Sequence, residues 1–279
     1  MAFTSPVPPD VVHLLPQLDD ELLSLLRSLT PEEWQMPTIA RLWTVKDVVA
    51  HLLDGNIRIL SLLRDDWWGE KPEIHSYQDL IDFLNRLNAD WVAAMRRVSP
   101  AMLVYLHEAT GKLFCDYYRS VDPSAPAVLA VNWAGEEKST NRMHLAREYT
   151  EKWLHQQQIR DAVNKPGILN RQFFYPFLDT FMFALPHTYR AVDAAEGTVI
   201  KLEVTTDAGG SWFVVRNDGR WQLTKEVAEQ PTTEIIIDPD TAWKLFSKSL
   251  RPEQVRGSVI IKGNNGLGEK ALEMVSVMA

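Results

Sequence analysis

Between Val11 and Leu29 the apolar positions Val12, Leu15, Leu18, Leu22, Leu23, Leu25, Leu26 and Leu29 recur at three- and four-residue steps, which puts them on one buried face of a helix. Thr30-Pro31-Glu32-Glu33 follows with a capping residue, proline at the first helical position and Glu three after the cap, and predicts a short helical turn. Thr44-Val45-Lys46-Asp47 repeats the capping-box spacing and opens a second long helix through about Leu63. A third is predicted over Tyr77 to Val98. Pro100 to Tyr118 carries a weaker helical pattern, and Asp122 to Val131, rich in Pro, Ala and Ser, reads as a loop. The long helix from about Thr140 to Val163 stops at Asn164-Lys165-Pro166-Gly167. Four main helices are expected up to this point.

After a hydrophobic segment around Phe173 to Leu185 the period changes from helical to alternating. Val199 to Thr205 and Trp212 to Val215 read as strands around an Asp207 to Gly210 turn, and Asn217-Asp218-Gly219 is a second hairpin turn leading to Trp221 to Leu223. Glu234 to Asp238 is a further β-rich run. Asp238-Pro239-Asp240 caps a short helix through Phe246, Ser258 to Lys262 is the last strand, and Asn265 to Val275 forms a closing helix. The second half is therefore expected to be α+β. No internal repeat or low-complexity tract interrupts either half.

Composition narrows the functional classes. At 279 residues with 46% hydrophobic and 24% charged positions, the chain has the make-up of an ordinary globular protein of one large domain or two. The formal net charge is −8 and no Lys/Arg cluster is long enough to follow a phosphate backbone, which argues against nucleic acid and anionic membrane partners. The apolar runs are far shorter than the roughly 20 residues of a spanning helix. Pro6, Pro8, Pro9 and Asp10 break the N-terminus before any signal-peptide core, so a cytoplasmic location is expected. Monomer and small homo-oligomer are equally compatible with this composition. The single cysteine, Cys115, excludes an internal disulfide and a thiolate-rich zinc site, and without a catalytic signature around it is expected to be inert packing.

The chemistry is concentrated on the helix around residue 150. At 100° per residue His144, Glu148, Glu151 and His155 fall within about 60° of one another, so one stripe presents two imidazoles and two carboxylates. Glu151 and His155 are one turn apart and can reach one ion. His51, at the edge of the apolar face of the Thr44-capped helix, would add a third donor. Two imidazoles and one carboxylate suit Zn²⁺ or another first-row divalent ion and leave positions open for water or substrate. Glu-x-x-x-His also occurs on solvated helix faces, so spacing alone does not choose between the two.

The flanking residues do choose. Leu29-Thr30-Pro31-Glu32-Glu33-Trp34 and Trp43-Thr44-Val45-Lys46-Asp47-Val48-Val49-Ala50-His51-Leu52 resemble the N-terminal block of the mycothiol-dependent maleylpyruvate isomerase family, a branch of the DinB-like metal-binding four-helix bundles. His144 through Arg160 is similar to that family's second metal block, and Thr233 to Phe246 to its C-terminal sterol-carrier-like α+β module. The resemblance implies a DinB-like four-helix bundle over 1–168 and a sterol-carrier-like domain over 169–279. It assigns His51, Glu151 and His155 as metal ligands, with His144 and Glu148 as supporting or pocket residues. One departure stands beside the first block: Arg41-Leu42 replaces the family's usual Pro-Gly.

The activity implied is that of a metal-dependent isomerase or S-transferase. An external low-molecular-weight thiol such as mycothiol would act on a small electrophilic or diacid substrate. Because such substrates are anionic, Arg251, in the loop after the Trp243 helix, is the candidate substrate contact, with a solvated surface role as the alternative. Two other readings stay open: a DinB-like metal-binding stress or detoxification protein without this activity, and a hydrophobic-ligand module in which Trp212, Phe213, Trp221, Trp243 and Phe246 line a tunnel rather than pack a core.

Overall fold

The computed structural model describes residues 6–128 and 139–274. The chain divides into two compact units, one containing residues 11–128 and 151–168, the other 6–10, 139–150 and 169–274 of the described chain.

The first unit is helical. Helix α1 (Leu15–Arg27) buries Leu15, Leu18, Leu22, Leu23, Leu25 and Leu26, the stripe anticipated from the leucine spacing. A 13-residue helix is marginal alone in water, but each buried leucine contributes roughly 1.5–3 kcal/mol, and this face fixes it. The Thr30 segment forms a short 3-10 turn over Glu33–Gln35. Helix α2 (Val45–Ile59) starts at a complete capping box: the Asp47 N–H donates to Thr44 Oγ1 and the Thr44 N–H donates to Asp47 Oδ2. It runs into one π turn over Leu60–Arg64.

Helix α3 (Tyr77–Met95) is capped by Ser76 and packs on α2. Helix α4 (Pro100–Ser120), capped by Ser99 with Pro100 at its first position, is a full 21-residue helix that packs on both α1 and α2. The weak pattern of this segment thus belongs to a central member of the bundle, and the described chain has five long helices here instead of four. Residues 122–128 are non-helical as expected; Leu129 to Val131 lie outside the described residues. Helix α5 (Asn141–Val163) completes the bundle with Ile159 and Val163 in a core shared with α1, α2 and α4.

In the second unit, α6 (Arg171–Phe181) and α7 (Leu185–Tyr189) precede a five-stranded sheet. Its strands are β1 (Val199–Val204), β2 (Gly210–Asn217), β3 (Arg220–Thr224), β4 (Thr233–Ile237) and β5 (Val259–Gly263), in the order β3-β2-β1-β4-β5. Only β1 and β4 pair in parallel. Asp218 and Gly219 both have positive φ, the requirement of a tight hairpin that the Asn-Asp-Gly signal predicts. Helices α8 (Pro239–Phe246), α9 (Pro252–Val255) and α10 (Asn265–Leu272) complete the unit. Trp212, Trp221, Trp243 and Phe246 are buried in its core, while Phe213 is half-buried. No described helix is long and apolar enough to cross a membrane.

Candidate metal centre

Two helices of the first unit bring the donors together. His51 stands on the second turn of α2, where the Thr44 cap fixes the helix start and therefore the angle at which the imidazole leaves it. Glu151 and His155 stand one turn apart on α5 with His155 Nε2 3.3 Å from Glu151 Oε2. One ligand atom from each of His51, Glu151 and His155 lies within 4.8 Å of the others. Tetrahedral donors about 2.1 Å from a zinc ion stand roughly 3.4 Å apart. The Glu151–His155 pair already has that spacing.

The surroundings suit a metal. His51 Nδ1 is buried and has no hydrogen-bond partner among the described residues, a costly state for an imidazole unless something else satisfies the ring. Burial, with the nearby His155 and Arg58 charges adding, holds the His51 imidazole well below its ordinary pKa, and the neutral ring is the form that ligates. His155 Nδ1 lies 2.8 Å from Gln158 Oε1. That bond fixes the tautomer with the proton on Nδ1 and leaves Nε2, the nitrogen facing Glu151, with its lone pair free. The His51 and His155 rings meet edge to face with centroids 4.6 Å apart, and Trp43 lies 4.8 Å from the His51 ring. Trp43 is held by a small loop closed by the Pro37–Thr44 bridge, its carbonyl accepting from the Thr38 N–H and hydroxyl. At the tip of that loop Leu42 is 89% exposed.

The other sequence-predicted residues are placed differently. His144 is buried, and its Nε2 lies 4.0 Å from Glu148 Oε1, so these two form a pair of their own one turn apart. They are not members of the three-residue donor cluster, and the side chain that orients His155 is Gln158. Arg251 stands at the N-cap of α9, is exposed, and its backbone N–H donates to Gln254 Oε1 at 2.8 Å. Cys115 is buried, and burial pushes its thiol up to about 11, the inert state expected of it. Gln158, Trp43 and Arg58 were not legible as site residues: Gln158 follows the donor stripe by one further residue triplet, and the other two carry no metal-ligand signature.

The class follows from this arrangement: a helical-bundle protein in which two helices bring two imidazoles and one carboxylate together, continued in one chain by an α+β unit. Residues 15–160 match the mycothiol maleylpyruvate isomerase N-terminal domain family. The match spans more than half of the chain, and the chain belongs to that family. Residues 180–275 match the SCP-2 sterol transfer family. Among solved structures, the mycothiol-dependent maleylpyruvate isomerase is 14% identical with a TM-score of 0.55, covering 90% of this chain and 91% of that one. A point mutant of the same enzyme is 12% identical with the same TM-score and coverage. These likenesses establish a shared fold. No curated protein matches the chain in sequence.

Proposed function

We propose that the chain is a metal-dependent enzyme that uses an external low-molecular-weight thiol, such as mycothiol, to isomerise a small diacid of the maleylpyruvate kind or to transfer the thiol to a small electrophile. The observation that carries this reading is the convergence of His51, Glu151 and His155 within 4.8 Å. In this reading the bundle, residues 1–168, holds the chemistry, and the sterol-carrier-like module, 169–279, contributes substrate contacts, with Arg251 as one of them. The site works in the cytoplasm on soluble small molecules.

A dication held there by His51, Glu151 and His155, zinc by the donor set, would supply Lewis acidity and lower the pKa of a thiol or water brought to it. The chain's own residues do the rest. His51 and His155 would each offer a ring nitrogen to the ion, and Glu151 would add a carboxylate oxygen. Gln158 keeps the His155 ring in one tautomer. Trp43 covers the His51 ring, which keeps bulk water from that side and strengthens every charge interaction at the site. Because Cys115 is buried, with its thiol pushed up to about 11, the reacting sulfur must come from outside the chain.

The test is a turnover assay on zinc-loaded protein with mycothiol and maleylpyruvate, and with other thiols and electrophiles. Turnover should require the thiol and fall by at least about 100-fold in His155→Ala. A zinc-loaded protein with no thiol-dependent turnover on any of them would favour the metal-binding stress-protein reading instead.

A further inference from the structure

One face of α2 continues past the metal donors. Gly55 and Arg58 follow His51 by four and seven residues, so all three fall within about 60° on one stripe of the helix. At Gly55 an added Cβ would meet no described atom within 4 Å, so open space lies on this stripe one turn beyond His51. Arg58 follows on the same stripe, three residues beyond Gly55. Its side chain leans back toward the helix N-terminus, the usual direction for long helical side chains, and reaches Asp54 with Nη2 3.2 Å from Asp54 Oδ2. The guanidinium is therefore level with Asp54, about one helical turn, or roughly 5.4 Å, from His51.

The fork is only half used. Arg58 Nη1 is buried and has no hydrogen-bond partner among the described residues, and Asp54 Oδ2 receives no aligned hydrogen bond either. The guanidinium is also near enough to contribute to the lowering of the His51 pKa, after burial and His155. A guanidinium with one nitrogen on Asp54 and the other buried and unsatisfied has a charge-assisted hydrogen bond left to offer a carboxylate.

Resting on the metal-site reading above, we propose that the α2 face from His51 through Gly55 to Arg58 is the carboxylate-binding subsite of this enzyme. Gly55 leaves room for the body of a small organic acid, and Arg58 grips its carboxylate while the other end reaches the metal triad. The spacing of roughly one turn selects a ligand with two polar ends a few bonds apart, such as a short dicarboxylate or keto acid, over a monofunctional hydrophobic one. Arg58 is thus a binding residue for the acid, in addition to the Arg251 contact proposed above.

The experiment is calorimetric titration of maleate into the zinc-loaded full-length protein, with the zinc content of every variant measured first. Wild type should bind maleate. Arg58→Gln should keep its zinc and bind maleate at least about tenfold more weakly, the loss expected for a charge-assisted hydrogen bond. Gly55→Leu fills the void without touching a charge and should show the same loss with zinc retained; it carries the test if Arg58→Gln fails to fold. Asp54→Asn, which removes the competing carboxylate, should bind maleate at least as well as wild type. If Arg58 serves only to neutralise Asp54, the Arg58 and Gly55 variants will bind maleate like wild type, and the proposal is overturned. Zinc-loaded wild type that binds no maleate overturns it as well. Wild type that takes up no zinc is recognised before maleate is added and overturns the metal reading and this subsite together.

Discussion

Gln158 shows how a single side chain would set the quality of the proposed metal site. Its Oε1 lies 2.8 Å from His155 Nδ1, so the ring presents Nε2 to Glu151 and to any ion between them. Replacing it by leucine keeps volume and removes the acceptor, leaving the imidazole free to rotate and to exchange tautomers. Gln158→Leu is expected to weaken zinc affinity by about 10–100-fold, in line with other outer-shell partners of ligating histidines, while thermal stability of the zinc-free protein changes little. Competition with a chromogenic chelator measures it; an unchanged affinity would show that the ring is held by packing against Trp43 and His51 alone. The convergence of His51, Glu151 and His155 was readable from the sequence because they combine a four-residue step with flanking blocks of a recognisable family. Their orienting residue was not, since a glutamine within Gln156-Gln157-Gln158 gives no sign of which of the three faces inward. All three are buried.

Elements show a similar division. The caps at Thr44, Ser76 and Ser99 and the proline at the start of α4 mark helix starts with local chemistry, and those starts were legible. The centrality of α4 was not. Its buried face is Leu103, His107, Gly111, Phe114, Cys115 and Tyr118, a regular helical stripe in which a histidine, a glycine and a cysteine take positions that an apolar pattern would fill. Two of them have a tertiary reason. A Cβ at Gly111 would sit 2.1 Å from Asp19 Oδ2, so the Asp19 carboxylate of α1 takes the space a side chain would fill. His107 joins α4 to α2 through Nε2, which donates to the Val49 carbonyl at 3.0 Å.

That buried imidazole gives α4 a pH dependence. Burial, only partly offset by the Val49 bond, lowers the His107 pKa to about 4, against an unfolded value near 6.5. Between those values the unfolded chain binds a proton that the folded chain refuses. The stability tied to this group is therefore complete above about pH 6.5 and is lost as pH falls toward 4. From pH 7 to pH 5 the loss is about 2 kcal/mol. His107→Gln retains a donor for Val49 and should remove most of that increment, as the difference between urea midpoints of variant and wild type at the two pH values. Equal pH sensitivity in both would mean that His107 does not remain neutral in the fold.

At the scale of the whole molecule, the division into a helical part and a sheet-bearing part follows from the change of hydrophobic period after residue 185, and both family matches fall on the corresponding segments. Strand positions and the β2–β3 hairpin were legible for the same reason: alternation and turn residues are local signals. What local signals could not reach is the polar interior of α5. Buried His155, Gln156, Gln157, Gln158 and Arg160 blur any apolar stripe on that helix, and a bundle that gives up hydrophobic contacts at five of six consecutive positions departs from simple patterning where the proposed site lies.

The account rests on that site holding an ion. The most direct measurement is zinc content by atomic emission of full-length protein after zinc loading and removal of unbound metal, in wild type, His51→Ala and His155→Ala. About one zinc per chain is predicted for wild type, as expected of a three-ligand site with an open position, and a small fraction of that for each variant. Full occupancy in both variants, or none in wild type, would contradict it.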